Sequence, residues 1–206
     1  MREGFYITEI TDELMDIMRG KSFKEDCKIP ADDLRYCHIL HVNSRGEQLE
    51  GELVCNKYIA GDVIEIFEAL LDASYPIEKV HLIDEYDADD TASTTDNNCS
   101  SFNYRTISYT TRISKHGFGM AVDINPLYNP YIKEVDGVTI IDPPAGEPYV
   151  DRSKDFPFKI TEEDFCYKLF IEHGFEWGGA WDTRKDYQHF EIPTDIIRKL
   201  YPHLEV

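Results

Sequence analysis

The sequence predicts an α+β fold, with antiparallel strands and separate helices rather than a regular strand–helix–strand alternation. Three observations predict it. Residues 34–43 (LRYCHILHVN) are dense in aromatic and β-branched side chains, end at the turn Ser44-Arg45-Gly46, and are answered by a second run at 52–56. Residues 57–74 instead carry Ile59, Val63, Ile66, Phe67 and Leu70 at helical spacing. The segments 121–125 and 187–192 return to strand-like alternation late in the chain.

The remaining elements follow in order. Thr11 caps a short helix running to Arg19, with Gly20 as its stop. Pro76 ends the 57–74 helix, and 77–83 reads as a further strand. Residues 84–100 are acidic, then rich in Ser, Thr and Asn, with little to bury, and read as a mobile loop. Their acids lack the glycine that a calcium loop needs at its sixth position. Residues 126–160, rich in Pro, Gly and Tyr, form a long connection of the kind that builds a wall or lid. Thr161 and Asp164 mark a helix start, Phe165, Leu169 and Phe170 its buried stripe, and Gly174 its end. No internal repeat occurs. Residues 1–50 are expected to form an N-terminal lobe of unassigned role within the same compact unit as 51–206.

Composition narrows the function. Forty acidic residues against 21 basic ones give a formal net charge of −19. Such a surface repels phosphate backbones and anionic membranes, so nucleic acid is not an expected partner. No stretch approaches the roughly 18 apolar residues of a membrane span. The opening residues MREGFY are followed by no apolar stretch and do not read as a signal peptide. The cysteines at 27, 37, 55, 99 and 166 exclude CxxC knuckles and read as reduced structural residues. The chain has no Gly-x-Ser-x-Gly elbow and no phosphate loop, which removes serine hydrolases and nucleotide enzymes.

Two short stretches carry the chemistry: Ser114-Lys-His116-Gly-Phe-Gly119-Met-Ala121-Val-Asp123-Ile-Asn125, and Trp181-Asp-Thr-Arg-Lys-Asp186-Tyr-Gln-His189-Phe-Glu191. In the first, a strand entered through a glycine-rich turn puts Ala121, Asp123 and Asn125 on one face and Met120, Val122 and Ile124 on the other. A half-buried Asp123 is costly unless paired or metal-bound. In the second, Tyr187, His189 and Glu191 share a face. If the strands are neighbours, His189 and Asp123 converge, with His116 entering from the turn. Two imidazoles and a carboxylate make a catalytic zinc set with one position open. On spacing alone, hydrogen-bonded structural histidines fit equally. Asp186 is three residues ahead of His189, off that face, in the preceding turn, where a carboxylate serves as general base. Arg105 reads either as an oxyanion-stabilising cation or as a surface arginine paired with an acid. Trp177, Trp181, Tyr128 and Tyr131 flank the motifs as cleft wall or core.

These segments resemble the zinc D-Ala-D-Ala carboxypeptidases and their relatives, the VanY- and VanX-type peptidases and the L-alanyl-D-glutamate endolysins. The first motif matches at Ser114, His116, Gly119, Ala121 and Asp123, and the second at Asp186 and His189. The resemblance covers about residues 100–192. It implies zinc on His116, Asp123 and His189, Asp186 as catalytic base, and, loosely, Arg105 as the transition-state arginine, since Asn103 stands where the family has glycine. It implies a small antiparallel central sheet with flanking helices, of the DD-peptidase/hedgehog type, in a zinc peptidase domain spanning 51–206. Ser114, Arg112, Tyr128 and Trp181 are candidates for substrate binding, with Arg112 and Arg152 as carboxylate clamps if a chain end is trimmed. The expected partner is a peptidoglycan stem peptide, cut by a monomer. The expected location is extracytoplasmic or wall-directed. The alternative from another class is an inactive, zinc-containing wall-binding module on the same fold.

Overall fold

A computed structural model describes residues 2–107 and 110–206. The chain is α+β, with three small antiparallel sheets and five α-helices among the described residues. The first sheet joins β1 (Tyr6–Glu9), β2 (Leu34–Val42) and β3 (Gln48–Asn56) in that order. Its hairpin runs in register from Leu34↔Asn56 to Val42↔Gln48, so β3 passes through residue 50. Between β1 and β2 lies α1 (Asp12–Met18), capped as expected by Thr11, whose hydroxyl accepts from Leu14 N–H at 3.2 Å.

Helix α2 (Ala60–Asp72) buries the predicted stripe of Val63, Ile66, Phe67 and Leu70 beneath this sheet. Pro76 follows it, but 77–83 is not a strand. Ile77 N–H reaches Val42 O and Glu52 N–H reaches Val80 O, so the extended chain touches the sheet at points without forming a ladder. The 84–100 segment also departs from expectation. It holds a 3-10 turn (Ile83–Tyr86) and helix α3 (Asp90–Thr95), capped by Asp89. Its buried polar residues, Asp84, Ser93 and Asn98 among them, are satisfied internally. Asp84 accepts from Ser22 N–H and Oγ, while Asn98 bonds His81 N–H, His81 O and Ser93 Oγ.

The second sheet, which positions the site, is β4 (Ala121–Asp123), β9 (His189–Glu191) and β7 (Glu176–Trp177), ordered β4-β9-β7. The third is β6 (Val138–Asp142), β5 (Tyr131–Val135) and β8 (Lys185–Asp186), ordered β6-β5-β8. Thus the long 126–160 connection contains a hairpin. Asp136 and Gly137, with φ of 51° and 77°, form its two-residue turn. Helix α4 (Phe165–Glu172) starts at Asp164, whose side chain accepts from Cys166 N–H at 2.8 Å. That phase buries Cys166 and Phe170 and leaves Phe165 43% exposed, against the predicted stripe. Phe170 stacks on Phe190 of β9, ring centroids 4.2 Å apart, and so fastens the helix behind the site strand. Helix α5 (Thr194–Leu200) follows. Among the described residues no helix is long and apolar enough to cross a membrane.

Candidate active site

The glycine-rich turn forms as a 3-10 turn over His116–Phe118, closed by Gly119 at φ 66°. Gly119 N–H returns to His116 O at 2.9 Å, which aims the imidazole back across the strand that follows. Strands β4 and β9 pair with Asp123 directly opposite His189. Cross-strand partners present side chains on the same face. The ring nitrogens and the carboxylate therefore meet. His116 Nε2 lies 3.1 Å from His189 Nδ1 and 3.2 Å from Asp123 Oδ2, and His189 Nδ1 lies 3.0 Å from Asp123 Oδ1. All three residues are buried, with ligating atoms within 4.8 Å of one another.

Electrostatics bind the cluster tightly. Burial alone would raise the Asp123 carboxyl, but the charges and hydrogen bonds of His116 and His189 hold it well below the usual carboxylate range. Burial works against a charged His189, yet its bonds to Asp123 and Glu191 push it up to about 10. Two imidazoles and a carboxylate, converging and desolvated, are the donor set of a three-ligand catalytic metal site. The side chains present fit a metal ion.

Asp186 sits on β8, opposite Tyr131 in register and separate from the strand that carries His189. Its Oδ1 is enclosed and has no hydrogen-bond partner among the described residues. Burial, then the negative charge of Asp123, push its carboxyl up to about 7, against the opposing pull of His189 and His116. A single glycine keeps Asp186 and His189 close. A Cβ on Gly178 would lie 2.8 Å from Asp186 Cβ, 2.7 Å from its backbone O and 3.3 Å from His189 Cβ. Gly178→Ala is therefore expected to move β8, lowering turnover while the three clustered side chains still take up metal. Kinetics with a parallel metal assay check this. Loss of metal with turnover would place the damage in the cluster instead.

Arg105 reaches the histidine turn. Its Nη1 donates to Ser114 Oγ at 2.8 Å, its Nε donates to Asp90, and Ser114 N–H bonds Arg105 O at 2.9 Å. Asn103 donates its side-chain amide to Asp90 at 2.8 Å, and its backbone N–H to His116 O. Sequence reasoning missed Asp90 because it placed that acid in a solvated loop. Trp181 lies over His189, ring centroids 5.5 Å apart, with Arg184 stacked on it at 4.3 Å.

Other candidates lie elsewhere. Tyr128 packs against Tyr149 and Phe158 in the wall that follows β4. Arg112 donates Nε to Val206 O, and no polar contact among the described residues joins it to the cluster. Arg152 gives its donors to Tyr128 O, Asn129 Oδ1 and Ile160 O, and stacks on Tyr187 at 4.2 Å. It braces the wall rather than presenting a free guanidinium. His173 ends α4 beside Asp62, and Cys166 is buried in the core.

A comparison with protein families matches residues 108–192 to the family described as D-alanyl-D-alanine carboxypeptidase. No curated protein and no solved structure matches the chain. The matched stretch contains His116, Asp123, Asp186 and His189, the residues that geometry draws together. Over this site-bearing stretch the chain is similar to the D-alanyl-D-alanine carboxypeptidases, a family of peptidases.

Proposed function

We propose that the protein is a zinc-dependent metallopeptidase that hydrolyses peptide bonds in peptidoglycan stem peptides, of the D-Ala-D-Ala carboxypeptidase or the L-Ala-D-Glu endopeptidase type. One observation carries this reading: a buried His116–Asp123–His189 cluster adjoins a carboxylate, Asp186, whose enclosed oxygen has no partner among the described residues. A binding module has no use for that oxygen, whereas a hydrolase needs a proton acceptor there.

His116, Asp123 and His189 would hold the ion. When bound, zinc supplies Lewis acidity, polarising the scissile carbonyl and easing ionisation of water. The residues of the chain do the rest. Asp186 accepts a proton from the attacking water at Oδ1 and returns it to the leaving amine nitrogen. Arg105, fixed by Asp90 and Ser114, supplies positive charge for the oxyanion. Trp181, whose ring lies 5.5 Å from that of His189, and Ser114, which holds Arg105, are the further contacts proposed for substrate.

The test is incubation of the zinc-loaded protein with muropeptides, with mass spectrometry to locate the cleaved bond. Release of terminal D-alanine assigns the carboxypeptidase type, and scission after L-alanine the endopeptidase type. Intact muropeptides of both kinds would overturn the proposal.

A further inference from the structure

Two largely enclosed charged side chains next to the cluster, Lys115 and Glu191, play no part in the chemistry above. His189 offers Nδ1 to the cluster, so its other ring nitrogen needs a partner elsewhere. Glu191 supplies it, with Oε2 at 2.9 Å from His189 Nε2. The strand makes this contact, since residues two apart on β9 share a face. The second carboxylate oxygen is also held: Oε1 lies 3.7 Å from Lys115 Nζ. That ammonium donates to Thr194 Oγ1 at 2.6 Å and to Ile192 O at 3.1 Å. The side chains of Lys115 and Glu191 are only 10% and 12% exposed. Desolvating such a pair is expensive, so its presence in the core asks for a reason beyond stability. Lys115 immediately precedes His116. The pair therefore ties the turn that presents one imidazole to the strand that presents the other.

We infer that Glu191 is a positioning residue for metal binding, holding His189 with its hydrogen on Nε2 and its Nδ1 lone pair aimed into the cluster, and that Lys115 holds Glu191 in place. This rests on the metal reading of the same site. A carboxylate behind a ligating imidazole fixes the ring's tautomer and orientation and makes it a more basic donor. His116 is held in the same way by a neutral acceptor, the Ser101 carbonyl, at 2.7 Å from Nδ1. Both rings are thus pinned from behind, and His189 alone by a charge.

The experiment is an equilibrium competition for zinc ions against a chromophoric chelator, using the full chain. Wild type is compared with Glu191→Ala, Glu191→Gln and Lys115→Met, with circular dichroism to confirm folding. Glu191→Ala is expected to bind zinc about 10- to 100-fold more weakly. Glu191→Gln keeps an acceptor without the charge and is expected to fall between Glu191→Ala and wild type, and Lys115→Met to weaken binding as well. Wild-type affinity in folded Glu191→Ala would overturn the inference. Should that variant not fold, wild-type affinity in Glu191→Gln would do so. A wild-type protein that takes up no zinc would instead remove the metal reading, and this inference with it.

Discussion

Asp186→Asn is expected to lower turnover on muropeptides by about 10²- to 10⁴-fold, the usual worth of a positioned acid–base group. Its zinc content and melting temperature should stay at wild-type values. Asparagine matches aspartate in size, so the narrow gap at Gly178 is undisturbed. The enclosed Oδ1 makes no hydrogen bond among the described residues, so the substitution removes none there. Only the capacity to accept a proton is lost. Steady-state rates alongside elemental analysis read both halves of the expectation. Unchanged turnover would move the base elsewhere. Loss of zinc together with turnover would make Asp186 part of the metal site.

The largest stability effect is expected at Gly119. Its φ of 66° lies in the left-handed region, where a side chain costs roughly 1–2 kcal/mol. A Cβ would also stand 2.8 Å from Asn56 N, whose N–H donates to Gly119 O at 2.8 Å. That bond joins the end of β3 to the turn that delivers His116. With backbone on the other side of the contact, relief requires moving one of the two segments. Gly119→Ala should therefore lower the melting temperature by at least about 2 °C, from the left-handed cost alone at some 2–4 °C per kcal/mol for a chain of this size. It should also weaken zinc binding, because the His116 turn shifts. Thermal unfolding with and without zinc checks this, and a variant as stable as wild type would show that the turn relaxes freely.

What was legible in the sequence followed local rules. Period-two alternation put Asp123 on the polar face of one strand and His189 on that of another, and pairing in register brought them opposite each other. Helical spacing identified the buried face of α2, and Thr11 its expected role as a cap. What was not legible depended on distant partners. The acids of 84–100 read as solvated because composition cannot show that Ser22, Asn103 and Arg105 wait for Asp84 and Asp90. Residues 77–83 carried a strand's composition, but only isolated backbone bonds meet them. The hairpin inside 126–160 had a signal that was passed over, the Asp136-Gly137 pair between β-branched runs. Glu191 was placed on the face of His189, yet nothing local pointed to Lys115 as the residue that holds it.

The central claim is that His116, Asp123 and His189 hold a metal ion. Elemental analysis of protein purified without a histidine tag, wild type against His116→Ala, tests it most directly. About one zinc per chain is expected in the wild type, as a three-ligand site requires, and its loss in the variant. A wild-type protein that carries no metal and takes none from a zinc-containing buffer would contradict it. The three side chains would then be a hydrogen-bonded core cluster.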